Sequence, residues 1–268
     1  MNCTGITTLI IPSTITEIGT NAFVNCPGLT SISVASGNTA YYSSGNCLIR
    51  SSDNSLILGC RNSTIPNTVL QIGPRAFAYS GLSSIIIPVG VKYIGTEAFA
   101  HCSYLYSVTF ANVSNSYLQK IYEAAFSYCT YLHYMQIPKN VNYIGALAFY
   151  NCSGLVNVTF ATSGIGLQIM NQAFALCTGL NVITIPSRVV YMGSGVFAGW
   201  SSSKTIYMMV NYNSTANWSG SWNSGCYAQI YWVGGGTNSE GGEDDDILTL
   251  TYEEYALLVG EEQEEEYI

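Results

Sequence analysis

Residues 82–102 read LSSIIIPVGVKYIGTEAFAHC, and almost every position of that stretch recurs along the 268-residue chain. Its Ala-Phe pair returns at Phe23, Phe77, Phe99, Phe126, Phe149, Phe174 and Phe197, with Val196 once in the alanine place. The intervals are 54, 22, 27, 23, 25 and 23 residues. A period of that length is the signature of stacked supersecondary units, each burying its apolar face only against its neighbours. The chain is therefore expected to be one elongated repeat solenoid of about nine units, whose core grows with every unit added. Such stacks present broad regular surfaces and seldom a deep reactive cleft.

Working outward from the phenylalanine, each position has a physical reason. The alternation in Leu105, Val108 and Phe110 against Ser107 and Thr109 predicts a short parallel strand with the first set inward. Pro12, Pro66, Pro88, Pro138 and Pro186 follow that strand and end it, because proline has no N–H for a ladder. Three residues on stands Ile15, Val69, Val91, Val141 or Val189, and after three more Ile18, Ile72, Ile94, Ile144 or Met192, always followed by glycine. Gly19, Gly73, Gly95, Gly145 and Gly193 are expected to supply a positive φ or a close backbone approach at a second corner.

Cys26, Cys102, Cys129, Cys152 and Cys177 each lie three residues after their phenylalanine; Cys3 fits the same register, and Ser80 and Trp200 interrupt it. This reads as a column of reduced, buried thiols, with a disulfide network and a metal site as the rival readings.

The frame I-P-x-x-V-x-x-I-G-x-x-A-F-x-x-C-x-x-L resembles the BspA-like leucine-rich repeats over residues 3 to about 209. The resemblance implies a right-handed leucine-rich-repeat superhelix, mainly β or α/β. It also implies adhesion and display at a cell surface or secretion. Residues 41–61, YYSSGNCLIRSSDNSLILGCR, resemble the family's β-hairpin insert with its turn at Ser52-Asp53-Asn54. Asn217-Trp218-Ser219 and Tyr227-Ala228-Gln229-Ile230-Tyr231 resemble its closing cap, placed at residues 210–233, which would shield the last strand edge. Two copies depart from the frame. They carry Thr109-Phe110 and Thr159-Phe160 for Ile-Pro, extra residues after them, and Tyr122 and Met170 for the glycine. Short and long units thus alternate with a super-period of about 49 residues, on which Tyr93, Tyr143 and Tyr191 recur. Those tyrosines read as half-buried sheet surface before they read as a binding column.

Charged residues make up only 9% of the chain, against roughly 25% in soluble domains, so its surface is neutral and polar. Twelve of the sixteen acids lie from Glu240 onward. The body up to residue 239 holds four carboxylates against eight Lys and Arg, a net of +4. Lys92, Lys120, Lys139 and Arg188 are scattered rather than clustered, which argues against nucleic acid. No apolar run reaches the 18 residues or so needed to cross a bilayer, so membrane insertion is not expected. The chain begins inside a repeat, without an N-terminal signal, and reads as a piece of something longer.

Catalysis needs acids, bases or nucleophiles converging on a cleft. The body holds two histidines, His101 and His133, and four dispersed carboxylates, so no enzyme activity, cofactor or metal is expected. A zinc set from His101, Cys102, Cys129 and His133 is opposed by the inward register of the thiols. Sequons at Asn2, Asn62, Asn112, Asn151, Asn157, Asn213 and Asn217 matter only in a secretory cell.

The expected organisation is a solenoid over residues 1–233, a Gly-rich and acidic linker over 234–250, and an acidic tail over 251–268. In the tail, Thr251-x-x-Glu254 forms a capping box for a short helix carrying Tyr252, Tyr255 and Val259 on one side, stopped by Gly260. Such a short helix is marginal alone, and fraying is its favoured fate over docking on a partner or opening a further domain. The whole reads as a non-catalytic module for a host or neighbouring-cell protein, or alternatively as a spacer in a larger particle. The oligomeric state is not legible. The binding patch is expected where the small Ser/Thr lining of the sheet gives way to Tyr106, His133, Tyr134 and Gln136, or else at the 41–61 hairpin.

Overall fold

The structure is a computed structural model that describes residues 5–19, 21–210, 217–233 and 248–263. Cys3, the sequons at Asn2 and Asn213, and the glycine-rich and acidic run of 234–247 lie outside the described residues. The chain is a β-solenoid of about nine turns. It opens with β1 (Thr8–Ile11) and β2 (Ser31–Val34), paired in parallel. An antiparallel meander follows, β3 (Tyr41–Ser44), β4 (Cys47–Arg50) and β5 (Ser55–Leu58).

Beyond the meander each unit contributes two strands rather than the one expected from sequence. The successive pairs are β6 (Gln71–Ile72) alone, then β7 (Ser84–Ile87) and β8 (Tyr93–Ile94), β9 (Ser107–Phe110) and β10 (Lys120–Ile121). β11 (Tyr134–Ile137) and β12 (Tyr143–Ile144), β13 (Asn157–Phe160) and β14 (Leu167–Ile169), and β15 (Val182–Ile185) and β16 (Val189–Met192) continue the series. Four-residue strands β7, β9, β11 and β13 form one parallel sheet. The even-numbered strands from β6 to β16 form a second parallel sheet across the core, which the meander extends through β5. β17 (Thr205–Met208), β18 (Gln229–Val233) and β19 (Leu248–Leu250) join β15 in a further parallel sheet. β13 and β15 lie side by side but do not pair, which leaves a seam in that face. Helix α1 (Tyr252–Gln263) closes the described chain.

Proline closes the first corner. The carbonyl oxygens of Pro12, Pro66, Pro88, Pro138 and Pro186 accept from the N–H three residues on, at 3.0–3.3 Å, which turns the chain toward the second sheet. Pro66 departs from expectation because no strand precedes it. Thr64 gives its N–H to the Gly45 carbonyl of the meander at 2.8 Å, so the insert occupies the edge a strand would have used.

The second corner decides between the two roles expected of glycine. Gly73, Gly95, Gly145 and Gly193 do not have positive φ; a Cβ on Gly145 would lie 2.5 Å from the Glu123 nitrogen, so the requirement is close approach. Gly19 has open space around it and meets neither requirement. Left-handed φ falls instead on Arg75, Glu97, Ala124, Leu147 and Gln172, two residues before each phenylalanine, and on Tyr79, His101, Tyr128, Asn151 and Leu176, two after. This alternation turns every second N–H toward the next unit. Phe99 bonds Ala125 at 2.7 Å and Phe126 bonds Ala148 at 2.8 Å, a third ladder along the stack.

The core is two clusters separated by the meander. Leu48 and Leu58 face the N-terminal one with Ile11, Leu29 and Ile32, while Cys47, Ile49 and Leu56 face the main one. The meander has two turns, the expected one at Ser52-Asp53-Asn54 and a second at Gly45-Asn46, both residues left-handed as a two-residue hairpin requires. In the main cluster Phe77, Phe99, Phe126, Phe149 and Phe174 stack face to face, 5.0–5.3 Å apart. Cys102, Cys129, Cys152 and Cys177 are free and buried, and each thiol donates to the carbonyl of the phenylalanine one unit earlier at 3.0–3.1 Å. Trp200 keeps the same bond where the thiol is missing, its Nε1 donating to Phe174 at 3.1 Å.

Candidate protein-binding face

The outward positions of β7 to β13 set the face. In register across these strands stand Ser84, Ser107, Tyr134 and Asn157, then Ile86 beside Thr109, and Gln136 beside Thr159. Just ahead of each strand, Ser83, Tyr106, His133 and Val156 form a column whose main chains are bonded at 2.8–3.2 Å. The structure therefore brings the expected residues together. The ring centroids of Tyr106 and His133 are 4.5 Å apart, and His133 lies 6.1 Å from Tyr134. His133 is fixed in turn by a 2.7 Å contact from Nδ1 to the Tyr131 carbonyl. Tyr134 and Gln136 face solvent from β11, and Tyr106 is half exposed.

Sequence reasoning missed the aromatic groups that widen this patch. Tyr104 and Tyr131, 69% and 61% exposed, occupy equivalent places on the turns leading into β9 and β11. On the corner before them, His101 is sandwiched between Tyr79 and Tyr128 at 4.4 and 4.5 Å, nearly parallel to both. Burial between these rings lowers the His101 pKa below its usual value. The signal was available in the shared offset of Tyr79, His101 and Tyr128, each two residues after its phenylalanine on successive units.

Tyr93 and Tyr143 do not touch each other: Lys120 stands between them in register, its Nζ 5.8 Å from the Tyr143 ring centroid, and Tyr122 packs 6.2 Å from both. Gln168 separates Tyr143 from Tyr191. These residues are half-buried second-sheet surface. The zinc set is not assembled: the Cys102 and Cys129 thiols donate into the core, while both imidazoles lie against tyrosine rings at the surface. Among the described residues no three His, Cys, Asp or Glu side chains converge to hold a metal ion, and no helix is long and apolar enough to cross a membrane.

Arg188, one of the scattered cations, is buried, and its guanidinium donates to the carbonyls of Ala161 (2.9 Å), Val141 (2.7 Å), Ile165 (3.2 Å) and Pro138 (3.4 Å). It ties its own unit to the two before it and takes no part in the face.

Beyond the seam the face is covered from within the chain. β19 falls in the stretch expected to be linker, and pairs in parallel with the cap strand β18. Helix α1 runs past Gly260, longer than expected, and keeps its capping box: Thr251 Oγ1 accepts from the Glu254 N–H at 3.1 Å, and Glu254 Oε2 accepts from the Thr251 N–H at 2.7 Å. These bonds hold the Glu254 carboxyl below its usual pKa. The helix lies on the face, with Tyr255 edge-on to Tyr207 at 5.2 Å and its hydroxyl 3.1 Å from Thr184 Oγ1. The cap itself is a cluster of Trp218, Trp222 and Trp232, 5.6–6.5 Å apart.

A stacked solenoid with an open sheet on one side and its polar chemistry dispersed belongs to the class of repeat proteins that serve as binding scaffolds. The BspA type Leucine rich repeat region matches this chain in six copies, over residues 1–45, 55–168 and 113–219, and the chain belongs to that family. It is similar to a leucine rich cell surface protein of Faecalibacterium prausnitzii, with 32% identity and TM-score 0.56 over 66% of this chain and 47% of that one. A leucine-rich repeat protein of Bacteroides ovatus gives 25% identity and TM-score 0.61 over 94% and 64%. The pneumococcal vaccine antigen PcpA shares the fold at 18% identity, TM-score 0.54, over 84% and 50%. The chain thus spans less than two thirds of the length of each of these structures. No curated protein matches it.

Proposed function

We propose that the protein is a non-catalytic, adhesin-like module, displayed at a cell surface or secreted, that engages a protein of a host or neighbouring cell through its sheet face. The observation that carries this reading is the exposed Tyr106 and Tyr134 with half-buried His133 between them, held in ring contact on adjacent units with Gln136 beside them. Aromatic side chains with few rotamers lose little entropy on binding and are the usual anchors of recognition surfaces. The cell-surface protein of F. prausnitzii supports the location.

A pull-down from host-cell extracts with immobilised chain tests the reading. A defined protein should be retained, and the double variant Tyr106→Ser, Tyr134→Ser should bind it at least about tenfold more weakly with unchanged folding, as expected for loss of hot-spot anchors. Retention of nothing would favour the second reading, a spacer or assembly part. That reading draws support from the addition of β19 to the cap strand, which shows the C-terminal edge accepting a further strand.

A further inference from the structure

Helix α1 sits over the seam where β13 and β15 fail to pair, and its seat is thin. Between it and the strands lies a cavity of about 740 Å³, bounded on the sheet by Asn157, Thr159 and Ile183 and on the helix by Tyr252, Tyr255 and Val259. A helix packed as core would have filled that space. Leu257 and Leu258 point away from the sheet, 70% and 50% exposed, and Tyr252 is exposed as well. Twelve residues are marginal as an isolated helix, and Gly260 weakens this one further. What orders it is the face: the Tyr255 hydroxyl on Thr184, the Tyr255 ring on Tyr207, and three residues of β19 on β18.

Asn157 and Thr159, on the wall of this cavity, are the register partners of Tyr134 and Gln136. A partner spreading from the aromatic patch toward the C-terminus reaches the helix within one strand. We propose that β19 and α1 form a detachable strap, filling in cis a groove over the seam that fits a helical segment with tyrosines three residues apart and an aliphatic side chain one turn beyond. A partner presenting that chemistry would gain the covered half of the face by displacing the strap. The proposal rests on the reading of the face as a binding surface, but displacement is measurable without any partner.

The test uses the full chain with a specific protease site introduced between Gly234 and Gly242, cut after folding. The probe is a fluorescent peptide of residues 248–263, read by anisotropy. The peptide should enter the cut chain at least tenfold more tightly than the uncut chain, whose own strap holds the groove. A Tyr255→Ser peptide should bind the cut chain at least tenfold more weakly. The idea is overturned if the peptide never enters the cut chain, if cut and uncut chains take it up alike, or if the Ser peptide binds as well as the native one. Any of these leaves the pull-down reading of the Tyr106 patch standing, and failure of the pull-down leaves the exchange result intact.

Discussion

The thiol of Cys152 donates to the carbonyl oxygen of Phe126, one unit down the stack, at 3.1 Å. Burial raises its pKa to about 12 and that of Cys102 to about 11, and holds Cys129 and Cys177 well above the ordinary 9.0. A folded-state pKa above the unfolded one gives stability that is whole below the unfolded value and is lost as pH climbs through the folded value. The melting temperature should therefore fall from pH 9 toward 11–12. Alkylation of the native protein should stay slow across pH 8–9, with half-buried Cys226 reacting first among the described thiols. Fast native labelling of most thiols would contradict the column. Cys152→Ala, which removes the donor from Phe126, should cost about 1–3 kcal/mol by denaturant melting.

Gly145 and Gly19 occupy equivalent places in sequence but different places in space. Gly145→Ala would put a methyl 2.5 Å from the Glu123 nitrogen and should destabilise by about 1–3 kcal/mol, with Gly145→Val worse. Gly19→Ala meets open space and should stay within about 0.5 kcal/mol of the parent. Equal melting midpoints for the two alanine variants would refute close approach as the reason for the glycine.

Arg188 is expected to matter for stability far more than any other cation of the body. Arg188→Met strips donors from four carbonyls and should cost about 2–3 kcal/mol in a chemical melt. Arg188→Lys should restore little, because one ammonium cannot reproduce a planar fork. A lysine variant as stable as the parent would show that charge alone suffices.

Phe149 sits between Phe126 and Phe174, so Phe149→Ala opens a cavity inside the stack and should cost about 3–5 kcal/mol. Phe23, in the separate N-terminal cluster and only partly buried, should cost less when changed to alanine. The same melting curves decide this, and a larger loss at Phe23 would overturn the division into two cores.

Period, strand, corner proline and inward thiol were legible because each is a local demand: Pro88 lacks an N–H, Val108 alternates with Thr109, Cys102 repeats at a fixed offset. Tyr106, His133, Tyr134 and Gln136 were placed on one surface by register alone, and the structure puts them there. The left-handed corners were not legible, because Leu147 or Glu97 carries no compositional mark of positive φ; the conformation comes from the ladder to the next unit. Pro66 misled because the neighbouring meander took the edge of its strand. The tail misled because a twelve-residue segment owes its order to Thr184 and Tyr207, residues remote in sequence.

Trp200 sets the direction in which the array can lengthen. From Phe77 to Phe174 every joint repeats the same ring stack and thiol-to-carbonyl bond, so a duplicated pair of short and long units inserted among them would meet a ring above, a ring below and a waiting carbonyl. At the far end the spacing opens to 6.1 Å between Phe174 and Phe197, and the Trp200 indole, in the thiol's place, lies edge-on to Phe197 at 5.2 Å. Copy number is thus free to drift in the interior while Trp200 and the tryptophan cluster of the cap mark the C-terminal boundary, and homologues of different length should share the terminus and differ in the middle.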